Sequence, residues 1–364
     1  MTADGLDRVE DAIAAIAAGE LVVVVDDTDR ENEGDLIMAA SLATPERIGF
    51  MIRHTSGIIC VPMTADRAEN LHLDPMVGRN SDSMGTAFTV TIDYRPGLTT
   101  GISAKERAAT IRAVAEPDVQ ARDFTRPGHV FPLVARDGGV LVRSGHTEAG
   151  VDLARLAGLP PVGALSEIVD DSGEPMRLVA LMAFAREHGL RIISIEDLIA
   201  YRIRCQKMVR RVAEQVVQVG RSQAVVRSYR THLDSMEHLA LCFGEVAGTP
   251  GVLTRIHREQ PLVDLLDRQK FDTAIREIEA AGQGVLILIR SSSARVGGTQ
   301  PGLSEKAEGH QSAVVRQQRW KEFGIGAQIL RDLDITSITP MSSEARNYVG
   351  LAGFGIEVAG FRHL

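Results

Sequence analysis

The spacing of apolar residues changes period several times along the first 200 positions, and each change marks an element. Val9, Ala12, Ile13, Ile16 and Ala17 fall on one helical face, which predicts an amphipathic helix over 9–18 stopped by Gly19. Glu20–Val25 is β-branched and continuous, the pattern of a buried strand. Thr44-Pro45 supplies an N-cap and a first-turn proline for a helix to about His54. Gly57–Pro62 is an apolar strand, Ala87–Ile92 alternates as another, and Ser103-x-x-Glu106 is a capping box for a helix to about Ala115. Thr147 is placed to cap a helix through Leu156. Pro175–Glu187 predicts a further helix closed by Gly189, then a strand at Leu190–Ile195 and a helix at Glu196–Arg204.

A second series starts near Lys207. Val209–Arg227 predicts paired strands around Gly220, Asp272–Ala281 a helix ended by Gly282, and Val285–Arg290 a strand. Ser291–Gly309 is a loop candidate, Trp320–Leu333 a helix and Ile335–Met341 a strand. The fold class that follows is α/β (α+β). It comprises a compact domain at 1–204, with a mixed sheet flanked by helices, and a second α+β domain at 208–364. Arg202–Met208 is the boundary, and a continuous helix is possible there because the segment lacks Pro and Gly.

Composition narrows the function classes. Of 364 residues, 44% are hydrophobic and 24% charged, enough for sizeable cores and unlike a disordered or fibrous chain. The longest apolar runs, Leu21–Val25 and Val285–Ile289, fall far short of the ~20 residues of a membrane span. No basic-then-apolar leader is evident, so a reducing cytoplasm is the expected compartment and no membrane partner is expected. The net charge of −8 is uneven: residues 1–202 carry 31 acidic against 19 basic side chains, and the remainder 17 against 21. An excess of this sign argues against a nucleic-acid partner for the first half. The three cysteines, Cys60, Cys205 and Cys242, form no close pair, which excludes a disulfide framework and a Cys-x-x-Cys zinc site.

The strongest local signal is Asp26–Asp35, with six carboxylates in ten residues. Such a run repels itself unless a hard cation, a base or solvent compensates it. A solvated acidic turn and a calcium loop are the alternatives, although EF-hand spacing fails at Asn32 and Met38. Arg143-Ser144-Gly145-His146-Thr147-Glu148 precedes a helix and could hold a phosphate on its amides, or could be an ordinary N-cap turn with a surface His. His129, between Pro127-Gly128 and Pro132, is a candidate base or a structural loop His. Glu167 lies among apolar residues, where burial would raise its pKa toward acid/base use; a carboxylate on a helix surface reads equally well. Cys60 reads as a buried, inert thiol. Thr86, Thr89, Thr99 and Thr100 could line a sugar pocket or simply suit strands.

Taken in order, these segments resemble 3,4-dihydroxy-2-butanone 4-phosphate synthase of riboflavin biosynthesis. The strings are Asp27-x-Asp29-Arg30-Glu31-Asn32-Glu33-Gly34-Asp35, Arg53-His54-x-Ser56-Gly57, Gly85–Val90, Thr99–Ser103, Arg126–Pro132 and Arg143-x-Gly145-His146-Thr147-Glu148, covering about residues 5–202. The resemblance implies a lyase that turns D-ribulose 5-phosphate, a small sugar phosphate, into L-3,4-dihydroxy-2-butanone 4-phosphate and formate. It further implies two Mg2+ or Mn2+ ions on Glu31 and His146, and His129 and Glu167 as acid/base residues. Substrate contacts are implied for Arg30, Glu31, Asp35, Arg143, Ser144, Gly145, His146, Thr147 and Glu167, and a homodimer is expected.

The second half resembles GTP cyclohydrolase II through Arg255-Ile256-His257-x-Glu259, Gly324–Leu333 and Tyr348–Val358. That family holds zinc on three cysteines, whereas here Gln260 follows Glu259 and no cysteine follows Cys242. Zinc is therefore not expected. The family's phosphate loop is replaced by Ser291–Gly297, and its Asn-Asn-Pro-x-Lys turn by Ser342–Arg346. The expectation is an inactive, structural or dimerising domain. The alternatives are a bifunctional enzyme and a nucleotide-binding regulatory module.

Overall fold

The computed structural model describes residues 5–27, 30–231, 235–267, 269–290, 322–342, 351 and 354–363. The chain divides into two compact units with the boundary between Tyr201 and Arg202. No helix among the described residues is long and apolar enough to cross a membrane.

The first unit contains helices α1 (Val9–Ala17), α2 (Pro45–His54), α3 (Ala65–Asn70), α4 (Ala104–Ala115), α5 (His146–Leu156) and α6 (Leu178–His188). Its strands are β1 (Val22–Val25), β2 (Gly34–Ala39), β3 (Cys60–Met63), β4 (Ile92–Tyr94), β5 (Phe124–Val134), β6 (Gly163–Glu167) and β7 (Arg191–Ser194). They form one mixed sheet in the order β4-β5-β3-β6-β2-β1-β7. Every residue of β1, β2 and β3 is buried, so both faces of the sheet centre are covered. On one face Val23, Leu36 and Met38 join Ile48, Met51, Ile111 and Phe184 in a continuous core. On the other, α5 lies so close that Gly150 abuts Gly163 backbone to backbone; a Cβ on Gly163 would come within 3.1 Å of the Gly150 carbonyl. Two glycines facing each other permit that approach, and with it the position of the α5 N-terminus.

Several expected elements hold as read. Thr44 accepts from the Arg47 amide at 3.3 Å at the start of α2, and Gly189 ends α6 in the left-handed region at φ 65°. Others differ. Ala87–Ile92 is not a strand: only isolated pairs Phe88–Leu133 and Thr89–Pro75 form before β4 begins at Ile92. Thr89 donates to the Pro132 carbonyl, and Pro132 has no N–H to return the bond, so the ladder stops. The helix expected from Pro175 starts at Leu178, because Met176 donates to Ile168 and extends strand pairing instead. The helix expected to be capped by Thr147 is capped by Gly145, with Thr147 already one turn position inside. The segment around His129 is not a loop but part of β5, the longest strand of this sheet.

The boundary segment is helical: α7 (Ile195–Cys205) runs through it. The second unit has strands β8 (Val209–Val219), β9 (Ser222–Thr231), β10 (Glu237–Phe243), β11 (Val252–Arg258), β12 (Gly284–Ile289), β13 (Ser337–Ser342), β14 (Glu357–Val358) and β15 (Arg362–His363). Helices α8 (Pro261–Leu266), α9 (Gln269–Ala281) and α10 (322–332) accompany them. The strand order is β14-β13-β11-β12-β10-β9-β8, with β15 on β13. Buried Gln328 of α10 ties α7 into this unit: its amide donates to the Ile203 and Gln206 carbonyls at 2.7 and 2.6 Å and accepts from the Met208 amide at 2.6 Å. The loop read at Ser291–Gly309, and nearly all of the Ser342–Arg346 turn, lie outside the described residues.

Candidate active site

Register fixes the site before any side chain is considered. In β2 and β6, Asp35 is opposite Glu167, and Val24 of β1 is opposite Asp35. Cys60 is opposite both Leu165 and Phe131, so two residues further along Glu167 and His129 share a face and an end of the sheet. His129 is two strands away from Glu167, about 10 Å at the usual strand spacing.

The acidic segment folds around Asp26. Its carboxylate accepts from the Glu33 amide at 3.0 Å, the Glu31 amide at 3.1 Å and the Arg30 guanidinium at 2.8 Å. Arg30 also bonds Glu31, and Arg177 bonds the Glu31 carbonyl at 2.9 Å. With its oxygens so engaged, Asp26 is the staple of the loop. In the sequence it is one of six acids, marked only by its place directly after the buried strand β1. Asp29 lies outside the described residues.

Around the staple, carboxylates gather with His146. Ligand atoms of Asp26, Glu31 and His146 lie within 4.8 Å of one another, as do those of Glu33, Asp35 and His146. Burial pushes Asp35 well above the usual carboxylate range, reinforced by Glu167, Glu33, Glu31 and Asp26. Burial, then Glu31, Glu167 and Asp26, raises Glu33 to about 7. Burial also raises Glu31 despite Arg30. The Oδ1 of buried Asp35 has no hydrogen-bond partner.

His146 opens α5. A carbonyl can only accept, so the 3.0 Å contact from Nε2 to the Val24 carbonyl fixes the proton on Nε2 and leaves a lone pair on Nδ1. That Nδ1 is 3.7 Å from the unpartnered Asp35 oxygen. Burial lowers His146 to about 4, so the imidazole is neutral near pH 7. A neutral imidazole oriented by a backbone carbonyl, facing carboxylates whose charge lacks compensation, suits divalent cations.

Beside it, Arg143 bonds Glu148 at 2.7 Å and the Met84 carbonyl at 3.3 Å. A Cβ on Gly145, the N-cap of α5, would fall 2.5 Å from Arg143 Nη1 and 2.9 Å from Glu148 Oε2, so the glycine leaves room for that ion pair. Ser144 is half-buried, while Gly145 and Thr147 are buried, at a helix N-terminus suited to an anion. Glu167 ends a strand and does not stand on a helix surface; its carboxylate accepts from Ser56 at 2.8 Å. His129 bonds Asp93 through its ring Nδ1 at 2.7 Å and its own amide at 3.0 Å. Cys60 is buried and its thiol is pushed up by burial, an inert residue as expected. Thr89 is buried and turns its hydroxyl proton to the Val90 and Pro132 carbonyls, and Thr99 donates to Glu106 at 2.7 Å.

Residues 10–201 match the family described as 3,4-dihydroxy-2-butanone 4-phosphate synthase. The chain belongs to that family. It is an enzyme, a 3,4-dihydroxy-2-butanone 4-phosphate synthase of riboflavin biosynthesis. Residues 210–363 match the GTP cyclohydrolase II family. The bifunctional riboflavin biosynthesis protein RIBA 1, chloroplastic, of Arabidopsis thaliana is 43% identical over 372 residues, covering 98% of this chain and 68% of its own. The monofunctional riboflavin biosynthesis protein RIBA 2, chloroplastic, of the same plant is also 43% identical, covering 98% and 77%. Among solved structures, RibBX, a two domain 3,4-dihydroxy-2-butanone 4-phosphate synthase from A. baumannii, superposes with a TM-score of 0.81 at 37% identity, over 98% of this chain and 99% of that one. A 3,4-dihydroxy-2-butanone 4-phosphate synthase in complex with two magnesium ions is 51% identical over 54% of this chain and 96% of its own, with a TM-score of 0.53.

Proposed function

We propose that the first unit converts D-ribulose 5-phosphate into L-3,4-dihydroxy-2-butanone 4-phosphate and formate with the help of two divalent cations, Mg2+ or Mn2+. The observation that carries this is the Nδ1 lone pair of His146 beside the unpartnered Asp35 oxygen, with Glu31 and Glu33 around them. Glu31 and His146 would hold the ions. Bound there, divalent cations would supply positive charge against the negative charge that develops on the sugar oxygens. The remaining steps belong to the chain. The α5 N-terminus, with Ser144, Gly145, Thr147 and Arg143, holds the phosphate; Arg30 and Asp35 fix the sugar end. Glu167, oriented by Ser56, and His129, about 10 Å away along the sheet, carry protons at different atoms of the substrate.

Formate release from ribulose 5-phosphate with Mg2+ tests this. Activity should vanish with chelator and return with Mg2+, and Glu31→Gln, His146→Ala, Glu167→Gln and His129→Ala should each lose it. Near-normal turnover in chelator, or in any of these variants, removes the corresponding role.

For the second unit we infer a structural or dimerising role without GTP hydrolysis, since it holds just two cysteines, Cys205 at the end of α7 and Cys242 buried in β10, and a trio of thiolates cannot form. The bifunctional relative favours a second reading, in which this unit still opens GTP. Zinc analysis with a GTP-to-formate assay separates the two; stoichiometric zinc with turnover establishes the second. The homodimer proposed with this function draws support from exposed Ile58, Ile102 and Val142, each next to a site segment. Sizing of the full chain and of a truncation near Ile203 tests it.

A further inference from the structure

His129 carries a partner that the sequence motifs do not include. Asp93 is buried at the irregular step between β4 and β5, and both of its oxygens are committed to one residue. Oδ1 accepts the His129 amide at 3.0 Å, and Oδ2 meets the ring Nδ1 at 2.7 Å. The surroundings are shaped for this pair. Gly101 sits in the left-handed region at φ +85°, and a Cβ there would fall 2.2 Å from Asp93 Oδ2 and 2.7 Å from His129 Nδ1. Gly128 lets β5 close onto β4: its Cβ would fall 2.0 Å from the Ile92 carbonyl carbon. The buried Arg107 guanidinium lies near enough to interact with the Asp93 charge while bonding the Gly57 carbonyl at 3.0 Å.

We infer that Asp93 is a positioning residue for the reaction, acting through His129; this rests on the proposed acid/base role of His129. A carboxylate only accepts, so Asp93 directs the ring proton to Nδ1 and leaves the Nε2 lone pair on the open edge of the imidazole. The side chain of His129 is 42% exposed while that of Asp93 is 5% exposed, so the ring reaches outward and its anchor does not. The second bond, to the backbone amide of the same residue, prevents the ring and the chain from shifting independently. His129 thus meets the substrate as one tautomer in one orientation, the arrangement proton transfer requires.

Three measurements on the full chain test the inference. Asp93→Asn should lower kcat about 100-fold or more with KM within twofold, since an amide can offer N–H to Nδ1 and move the ring proton to Nε2. Asp93→Glu, which restores a carboxylate on a longer arm, should recover part of that loss. In ¹⁵N spectra of the wild-type protein, the His129 resonance, assigned by its absence in His129→Ala, should report the Nδ1–H tautomer. This last readout needs no folded Asp93 variant. If His129→Ala itself turns over normally, the acid/base reading fails and takes the inference with it. If His129→Ala is inactive while Asp93→Asn keeps its kcat, or His129 is an Nε2–H tautomer, the positioning role alone is overturned.

Discussion

Replacing Asp35 with Asn should stabilise this protein when divalent cations are removed and leave it weaker than the wild type when they are supplied. Asp35 is fully buried, one of its oxygens accepts nothing, and its neighbours Glu167, Glu33, Glu31 and Asp26 repel its charge. Asparagine keeps a polar atom at that point but sheds the charge, whose burial without a partner costs at least about 1–3 kcal/mol. For a unit of this size, 1 kcal/mol moves Tm by about 2–4 °C, so the variant should melt roughly 2–12 °C higher in chelator. The pH dependence has a definite sign. A carboxyl whose folded pKa is raised binds its proton more readily folded than unfolded, so stability falls as pH rises above the ordinary value of about 3.9. The advantage of Asn is therefore largest at neutral pH and fades toward pH 4. Cation at one hundred times its Kd would stabilise the wild type by about 2.7 kcal/mol, a gain the variant lacks in proportion to its lost affinity. The order of melting temperatures should then reverse. Differential scanning calorimetry at pH 7.5, in chelator and in Mg2+, reads both arms. A variant less stable in chelator, or equal Mg2+ gains for both proteins, would refute the reasoning.

Three further outcomes follow from packing. Gly128→Ala should destabilise the first unit by about 1–3 kcal/mol or more, because its Cβ meets the Ile92 backbone, which cannot move as a side-chain tip can; urea unfolding reads this, and an unchanged midpoint counts against the close approach of β4 and β5. Gln328→Ala removes three hydrogen bonds, to Ile203 in α7 and to Gln206 and Met208 in the link to β8, and should cost the second unit roughly 2–4 kcal/mol while leaving the Mg2+-dependent activity in place. Under native conditions iodoacetamide should modify Cys205 alone, since Cys60 and Cys242 are buried with thiols pushed up by that burial; mass spectrometry showing early labelling of Cys60 would contradict the packing of β3.

The helices of the first unit were legible because their ends carry local chemistry: Thr44 with Pro45, Ser103 with Glu106, and Gly189 all act within a turn of themselves. The strands β2, β6, β10 and β11 were harder. β2 mixes Gly34 and Asp35 with apolar residues, and only pairing with β1 and β6 makes it a strand. At the site, residue types and order pointed to Glu31, His146, His129 and Glu167, while their mutual placement depends on register between strands over a hundred positions apart. Asp93 illustrates what remains hidden. Nothing near it in sequence marks it, and its bond to His129 exists only because Gly101 and Gly128 leave room.

The carbonyl that orients His146 belongs to Val24, in a run of four valines. No codon change can delete a backbone oxygen. The proton position on which cation binding depends is therefore insulated from mutation at residue 24, so long as any residue there keeps β1 in register. Drift among apolar side chains in that strand would leave the chemistry untouched, whereas a one-residue slip of β1 would abolish it without altering a single side chain of the site. The vulnerable element in this half of the protein is thus an alignment of strands, and variants that shift register deserve screening alongside those that replace acids.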